Sequence, residues 1–165
     1  MKKLLLLLIF CSCNPIQYKS HLPISIIFYV DNTFSNSQKE LIDEAAGRWE
    51  EATNYSISIL IDYMDLEQDA NWRTDGRSSI YNATSGWKRE LALSLYKGPF
   101  WGLTMPDSGD IFITEINSQF YQLITHEIGH ALMRSKEHSN NKNSVMYPLL
   151  GWDITKEDIN KVLRR

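Results

Sequence analysis

The sequence predicts a single α+β domain, a twisted mixed β-sheet packed by two main helices. Three observations predict it. Short runs alternate apolar and polar residues with period two, as half-buried strands do. Two longer runs repeat apolar residues at spacings of three and four, which gives a helix one buried face. Near the start, strand, helix and strand follow one another, an order that suggests neighbouring parallel strands joined by a right-handed crossover.

In chain order, the first segment stands apart from the domain. Lys2 and Lys3 precede an apolar run from Leu4 to Phe10, followed by Cys11-Ser12-Cys13-Asn14. A charged start, a short apolar stretch and small residues read as an export signal, and the run is too short to span a bilayer. Its end resembles a bacterial lipoprotein signal, with Ser12 before a lipid-modified Cys13. Phe10 and Cys11 occupy positions where that pattern usually has Leu and a small residue. A plain secretory signal cut near the same place is the alternative. Residues 1–13 are therefore expected to be a lipoprotein-type signal peptide, and 14–165 the exported domain. Both cysteines fall in the signal, so that domain has none left for a disulfide or a thiolate ligand.

The 165 residues suit one domain, and a 43% hydrophobic share with 5 Trp and 8 Tyr supplies a core. A net charge of -3 without a basic stripe makes nucleic acid a poor partner. Ile24 to Val30 alternates as a strand, with Ile24, Ile26, Phe28 and Val30 on one face. Ser37 and Glu40 form a capping box for a helix to about Ala52, whose stripe is Leu41, Ile42, Ala45, Ala46, Trp49 and Ala52. Tyr55 to Tyr63 is a second strand with Ile57, Ile59 and Ile61 on one face. Asp65 to Trp87 is polar and reads mainly as loop, with a short strand around Ser79–Tyr81. Leu91, Leu93 and Leu95 alternate, so Glu90 to Tyr96 is expected as a strand, although Ala, Leu and Glu favour helix. Trp101 to Met105 is extended, and Asp110 to Glu115 is a further strand. Phe120 to about Met133 is the second main helix, with Phe120, Ile124, Ile128 and Ala131 facing the sheet.

That helix carries the run His126-Glu127-Ile128-Gly129-His130. Histidines four apart share a helix face, so both imidazoles can reach one metal ion, with zinc the expected one. Glu127 beside the first histidine is placed to act as base for a water bound to that ion. His138 is the expected third ligand, and Glu137 next to it is the rival. Gly129 in mid-helix makes sense if another backbone passes close to it.

His126-Glu-Ile-Gly-His-Ala-Leu132, then His138-Ser139, then Val145-Met146-Tyr147-Pro148 resemble the metzincin zinc proteases, most of all the matrixin branch with the matrix metalloproteases. The early strand, helix and strand follow that family's order. Gly109-Asp110-Ile111 falls where its last sheet strand lies. Ile154-Thr155-Lys156-Glu157-Asp158-Ile159 looks like the start of its C-terminal helix. The resemblance implies a zincin-like fold, with a sheet subdomain above a horizontal cleft, a Met-turn, and a small C-terminal subdomain ending in a helix. It implies that Met146 lies beneath the zinc and that Tyr147-Pro148 begins the wall of the pocket for the residue after the cut bond. This chain departs from the family pattern at two points. Met133 and Lys136 stand where the family has a glycine and the third histidine, which reads as a two-residue insertion within Met133–Glu137. Leu150 stands where a tyrosine usually follows the Met-turn proline.

The resemblance thus implies a zinc-dependent endopeptidase with ligands His126, His130 and His138, in which Glu127 activates a zinc-bound water. Two alternatives stay open: a catalytically weak, zinc-stabilised binding protein of the same fold, and a zinc hydrolase acting on a non-peptide amide. The expected partners are a protein or peptide substrate and, through a lipid anchor, a membrane surface. The domain is expected to be a monomer, exported as a cell-envelope lipoprotein or secreted.

Overall fold

Strand β1 (Ile24–Asp31) buries Phe28 and Val30 on one face and leaves Ile27 exposed on the other. The structure, a computed structural model, describes residues 24–67, 72–98 and 100–164. The expected signal segment, with Cys13, lies outside the described residues. Helix α1 (Asn36–Ala52) follows and buries Ile42, Ala45, Ala46 and Trp49. Its cap differs from the expected one. Ser35 is the N-cap, and the Gln38 side chain completes the box by accepting from the Ser35 N–H at 2.8 Å. The Ser35 and Ser37 hydroxyls lie 3.1 Å apart, so two serines compete for one role and the reach of Gln38 selects the earlier. Strand β2 (Ile57–Met64) runs parallel to β1, with Ile24 opposite Ile57 and Asp31 opposite Met64.

Strand β3 (Ser78–Asn82) lies between β1 and β5 (Asp110–Ile113), parallel to both. The sequence suggested only a short strand in a polar loop here. Central position covers both faces, so Ser79, Ile80 and Tyr81 are all buried and no alternation announces the strand. The buried Ser79 N–H also donates to Asp110 Oδ1 at 3.0 Å. Helix α2 (Gly86–Leu95) replaces the strand expected over Glu90–Tyr96. Leu91 and Leu95 are one helical turn apart and pack, with Ala92, on the Tyr81–Phe112 cluster, whereas Leu93 is exposed. Three alternating leucines thus satisfied both periods, and burial decided for the helix.

Strand β4 (Gly102–Met105) pairs antiparallel with β5, giving the order β2-β1-β3-β5-β4 among the described residues. Helix α3 (Phe120–Met133) is buried along nearly its whole length. Helix α4 (Lys156–Leu163) is capped by a box between Thr155 and Asp158. The main core lies between the sheet and α1 with α3, and joins Phe28, Ile80, Ile111, Trp49, Ile124 and Ile128. The smaller cluster covers the other sheet face. No helix among the described residues is long and apolar enough to cross a membrane. The α+β class, the mixed sheet and the two main helices are as the sequence predicts.

Candidate metal centre

Helix α3 is pinned between α1 and the edge strand β4. On the α1 side the Trp49 indole N–H donates to the Thr125 carbonyl at 2.9 Å. A Cβ on Gly129 would stand 2.4 Å from Met146 Sδ and 2.7 Å from Trp49 Cζ2. The close neighbours at Gly129 are therefore two side chains, where the sequence suggested a passing backbone. Met146 is fully buried beneath the helix at this point.

The other side of α3 presents His126, Glu127 and His130. With His138 the two helical histidines form one group, each offering a nitrogen, and all these atoms lie within 4.8 Å of one another. His126 Nδ1 lies 2.6 Å from the Val145 carbonyl oxygen, and His130 Nδ1 lies 2.8 Å from that of Ser135. A carbonyl oxygen only accepts, so each Nδ1 carries the hydrogen and each neutral ring turns a bare Nε2 inward. The two Nε2 atoms are 3.0 Å apart. Two lone pairs facing at that distance repel, and a shared cation removes the repulsion. Burial lowers the pKa of all three imidazoles, and for His130 burial and then the neighbouring His126 and His138 bring it down to about 3. The rings are thus neutral, the form that binds metal.

The segment after α3 brings His138 to the centre. Helix α3 ends without glycine because Arg134 itself takes the left-handed conformation, at φ 51. Its guanidinium donates to the Asp107 carbonyl at 2.6 Å, which ties the helix end to the β4–β5 turn. Ser135 then gives its carbonyl to His130, and His138 turns its ring to the centre. Glu137, the rival ligand, points to Lys161 and stays outside the group.

Glu127 lies against β4. Its Oε2 accepts from the Thr104 hydroxyl at 2.6 Å, and both residues are buried. Burial pushes the Glu127 carboxyl up to about 7, against the opposing effect of the Thr104 bond. The three histidines and Glu127 line a cavity of about 730 Å³. Trp101 and Leu103 of the β4 region and Pro148, Leu149 and Leu150 after Met146 also line it. Tyr147, which the sequence placed with Pro148 in the wall, is half-buried and does not line the cavity.

Four partners of the site escaped sequence reasoning: Gly102, Thr104 and the carbonyls of Val145 and Ser135. Only the period-two spacing of Gly102 and Thr104 on the strand facing α3 gave any signal. The carbonyls have none, since every residue carries one.

A family model described as matrixin matches residues 17–163. Among solved structures, metalloproteinase-II from Bacteroides fragilis is similar in fold, with a TM-score of 0.61 and 15% identity over 88% of this chain and 54% of that one. This chain therefore spans about half the length of that protein. Archaemetzincin from Methanopyrus kandleri gives a TM-score of 0.42 and 12% identity over 84% of this chain and 86% of that one. No curated protein matches.

Proposed function

Because this chain belongs to the matrixin family of metalloproteases, we propose that it is a zinc-dependent endopeptidase with Glu127 as its general base. The observation that carries the reading is the convergence of three neutral imidazoles and one buried carboxyl on a single cleft. The donor set fits zinc, which takes neutral imidazole nitrogens and in catalytic sites keeps a position open beside three protein ligands. His126, His130 and His138 would hold it. Bound there, zinc supplies a Lewis acid that acidifies water and polarises a carbonyl.

The chain's own groups do the proton work. Glu127 takes the proton of the attacking water and returns it to the amide nitrogen as the C–N bond breaks. Burial favours its neutral form and a neighbouring dication its charged form, and this balance suits a group that must both accept and give. The Val145 and Ser135 carbonyls keep His126 and His130 in the tautomer that turns Nε2 inward. The family implies a protein or peptide substrate. An extended peptide would pair with the edge of β4, whose Gly102, Leu103 and Thr104 line the cavity.

Digestion of a denatured protein, with and without chelator, tests the activity. Glu127→Ala is expected to keep its zinc and fold and to lose about 10²- to 10⁴-fold in rate. Near wild-type cleavage by that variant would remove Glu127 from the mechanism. One zinc per chain with no cleavage of any peptide would leave a binding protein.

We also propose export, with lipid on Cys13. The support is Lys2-Lys3, the apolar run and Ser12-Cys13. Mass spectrometry of the mature N-terminus is the check. An unmodified start at Asn14 or later would leave a freely secreted protein, and an intact Met1 would reject export processing.

A further inference from the structure

We propose that Gly102 and Thr104 are positioning residues for Glu127, fixing its carboxylate so that Oε1 is the oxygen that handles the proton. The proposal rests on Glu127 being the base. Gly102 and Thr104 are two apart on β4 and so face the same way, toward α3. The Thr104 hydroxyl is 2.6 Å from Glu127 Oε2 and 3.1 Å from the Glu127 backbone oxygen. It has one hydrogen to give, and the shorter contact is to the carboxylate. Oε1 has no hydrogen-bond partner among the described residues.

Gly102 acts by what it lacks. A Cβ there would stand 2.6 Å from Oε1, 2.8 Å from Cγ and 2.9 Å from Cδ of Glu127. Its φ is not positive, so conformational freedom does not explain the glycine, and close approach does. The carboxyl end of Glu127 thus packs close against the bare Cα of Gly102, with Oε2 held by Thr104 and Oε1 left for the reaction. Both β4 residues line the same cavity as the histidines. A misplacement of an ångström or less suffices to lose much of the rate, because proton transfer demands contact distance.

The test is a set of variants of the whole chain, read by kcat, KM, zinc content and melting temperature. Thr104→Val is expected to lower kcat about 10- to 100-fold with KM and zinc content unchanged, and Thr104→Ser to recover most of it. Gly102→Ala is expected to lower kcat in the same way. In a Glu127→Ala background, Thr104→Val should change the residual rate no further, since its effect acts through Glu127. Wild-type kcat in Thr104→Val, with Glu127→Ala inactive, would overturn the positioning role and leave the base intact. An equal further loss in the Glu127→Ala background would mark a merely structural tie and also overturn it. An active Glu127→Ala would instead overturn the underlying reading of the base. Should Thr104→Val fail to fold, Gly102→Ala decides, and wild-type kcat there refutes the proposal.

Discussion

Glu137 carries its carboxylate away from the three histidines, to 4.0 Å from the Lys161 amine. The adjacent His138 places its ring centroid 4.8 Å from that of His130 and 5.3 Å from that of His126. His138→Ala should therefore abolish tight zinc binding, and Glu137→Ala should leave zinc stoichiometry at the wild-type value. Metal analysis after dialysis decides, and the reverse pattern would exchange the two assignments. Asp110 supplies a pH dependence. Its Oδ1 accepts from the Ser79 N–H, while Oδ2 has no partner among the described residues. Burial, outweighing the hydrogen bonds from Ser108 and Ser79, pushes its pKa up to about 6. A carboxyl raised in the fold favours the protonated form. Its stabilising contribution is complete below the unfolded value of about 3.9 and is lost as pH rises through about 6. Asp110→Asn keeps an acceptor for Ser79 and removes the charge. It should stabilise the chelated protein by up to about 3 kcal/mol at pH 7.5 and by nothing at pH 3.5. Urea unfolding at the two pH values checks it, and an equal effect at both would reject the cause given.

Helix α3 shows how an element is held to ångström tolerance by its neighbours. Ala is intrinsically about 1 kcal/mol better than Gly inside a helix. At Gly129 the gain is outweighed, because Trp49 is fixed by its bond to the Thr125 carbonyl and cannot move aside for a Cβ at 2.7 Å. Gly129→Ala should destabilise by about 1–3 kcal/mol and disturb zinc affinity, since Met146 must shift beside Val145, whose carbonyl orients His126. Denaturant midpoints measure the first effect and zinc titration the second. A stabilised variant would show that Met146 and Trp49 yield freely. The same helix was legible from sequence because its buried face and its histidines each repeat with the helical period. Helix α2 was not, because Leu91, Leu93 and Leu95 fit either period until the Tyr81–Phe112 cluster selects Leu91 and Leu95.

At the scale of the whole molecule the centre joins parts that the chain separates. Helix α3 supplies two imidazoles, the segment after Arg134 supplies the third, and the turn at Val145 orients the first. An ion held by all three binds the folded chain and not the unfolded one, so it adds stability by mass action. Zinc added to the chelated protein at about a hundred times its Kd should contribute about 2.7 kcal/mol and raise the melting temperature. His126→Ala should remove most of that shift, and an undiminished shift would place the ion elsewhere.

The sequence by itself determined the α+β class, the opening β-α-β unit, the helix that presents His126, Glu127 and His130, and the family likeness. Each of these is written in short-range spacing, which a linear reading can count. It favoured His138 over Glu137 as the third ligand and gave no partner for Glu127. Tertiary structure supplied what spacing cannot, because it depends on groups that meet only after folding: His138 grouped with His126 and His130 while Glu137 stays outside, and Thr104 reaching Glu127 across the gap between a strand and a helix. The sequence marked a short strand around Ser79–Tyr81 and β3 lies there, but its place in the sheet belongs with them. Its polar sequence becomes a central strand because β1 and β5 bury both its faces, and no residue within it announces those neighbours.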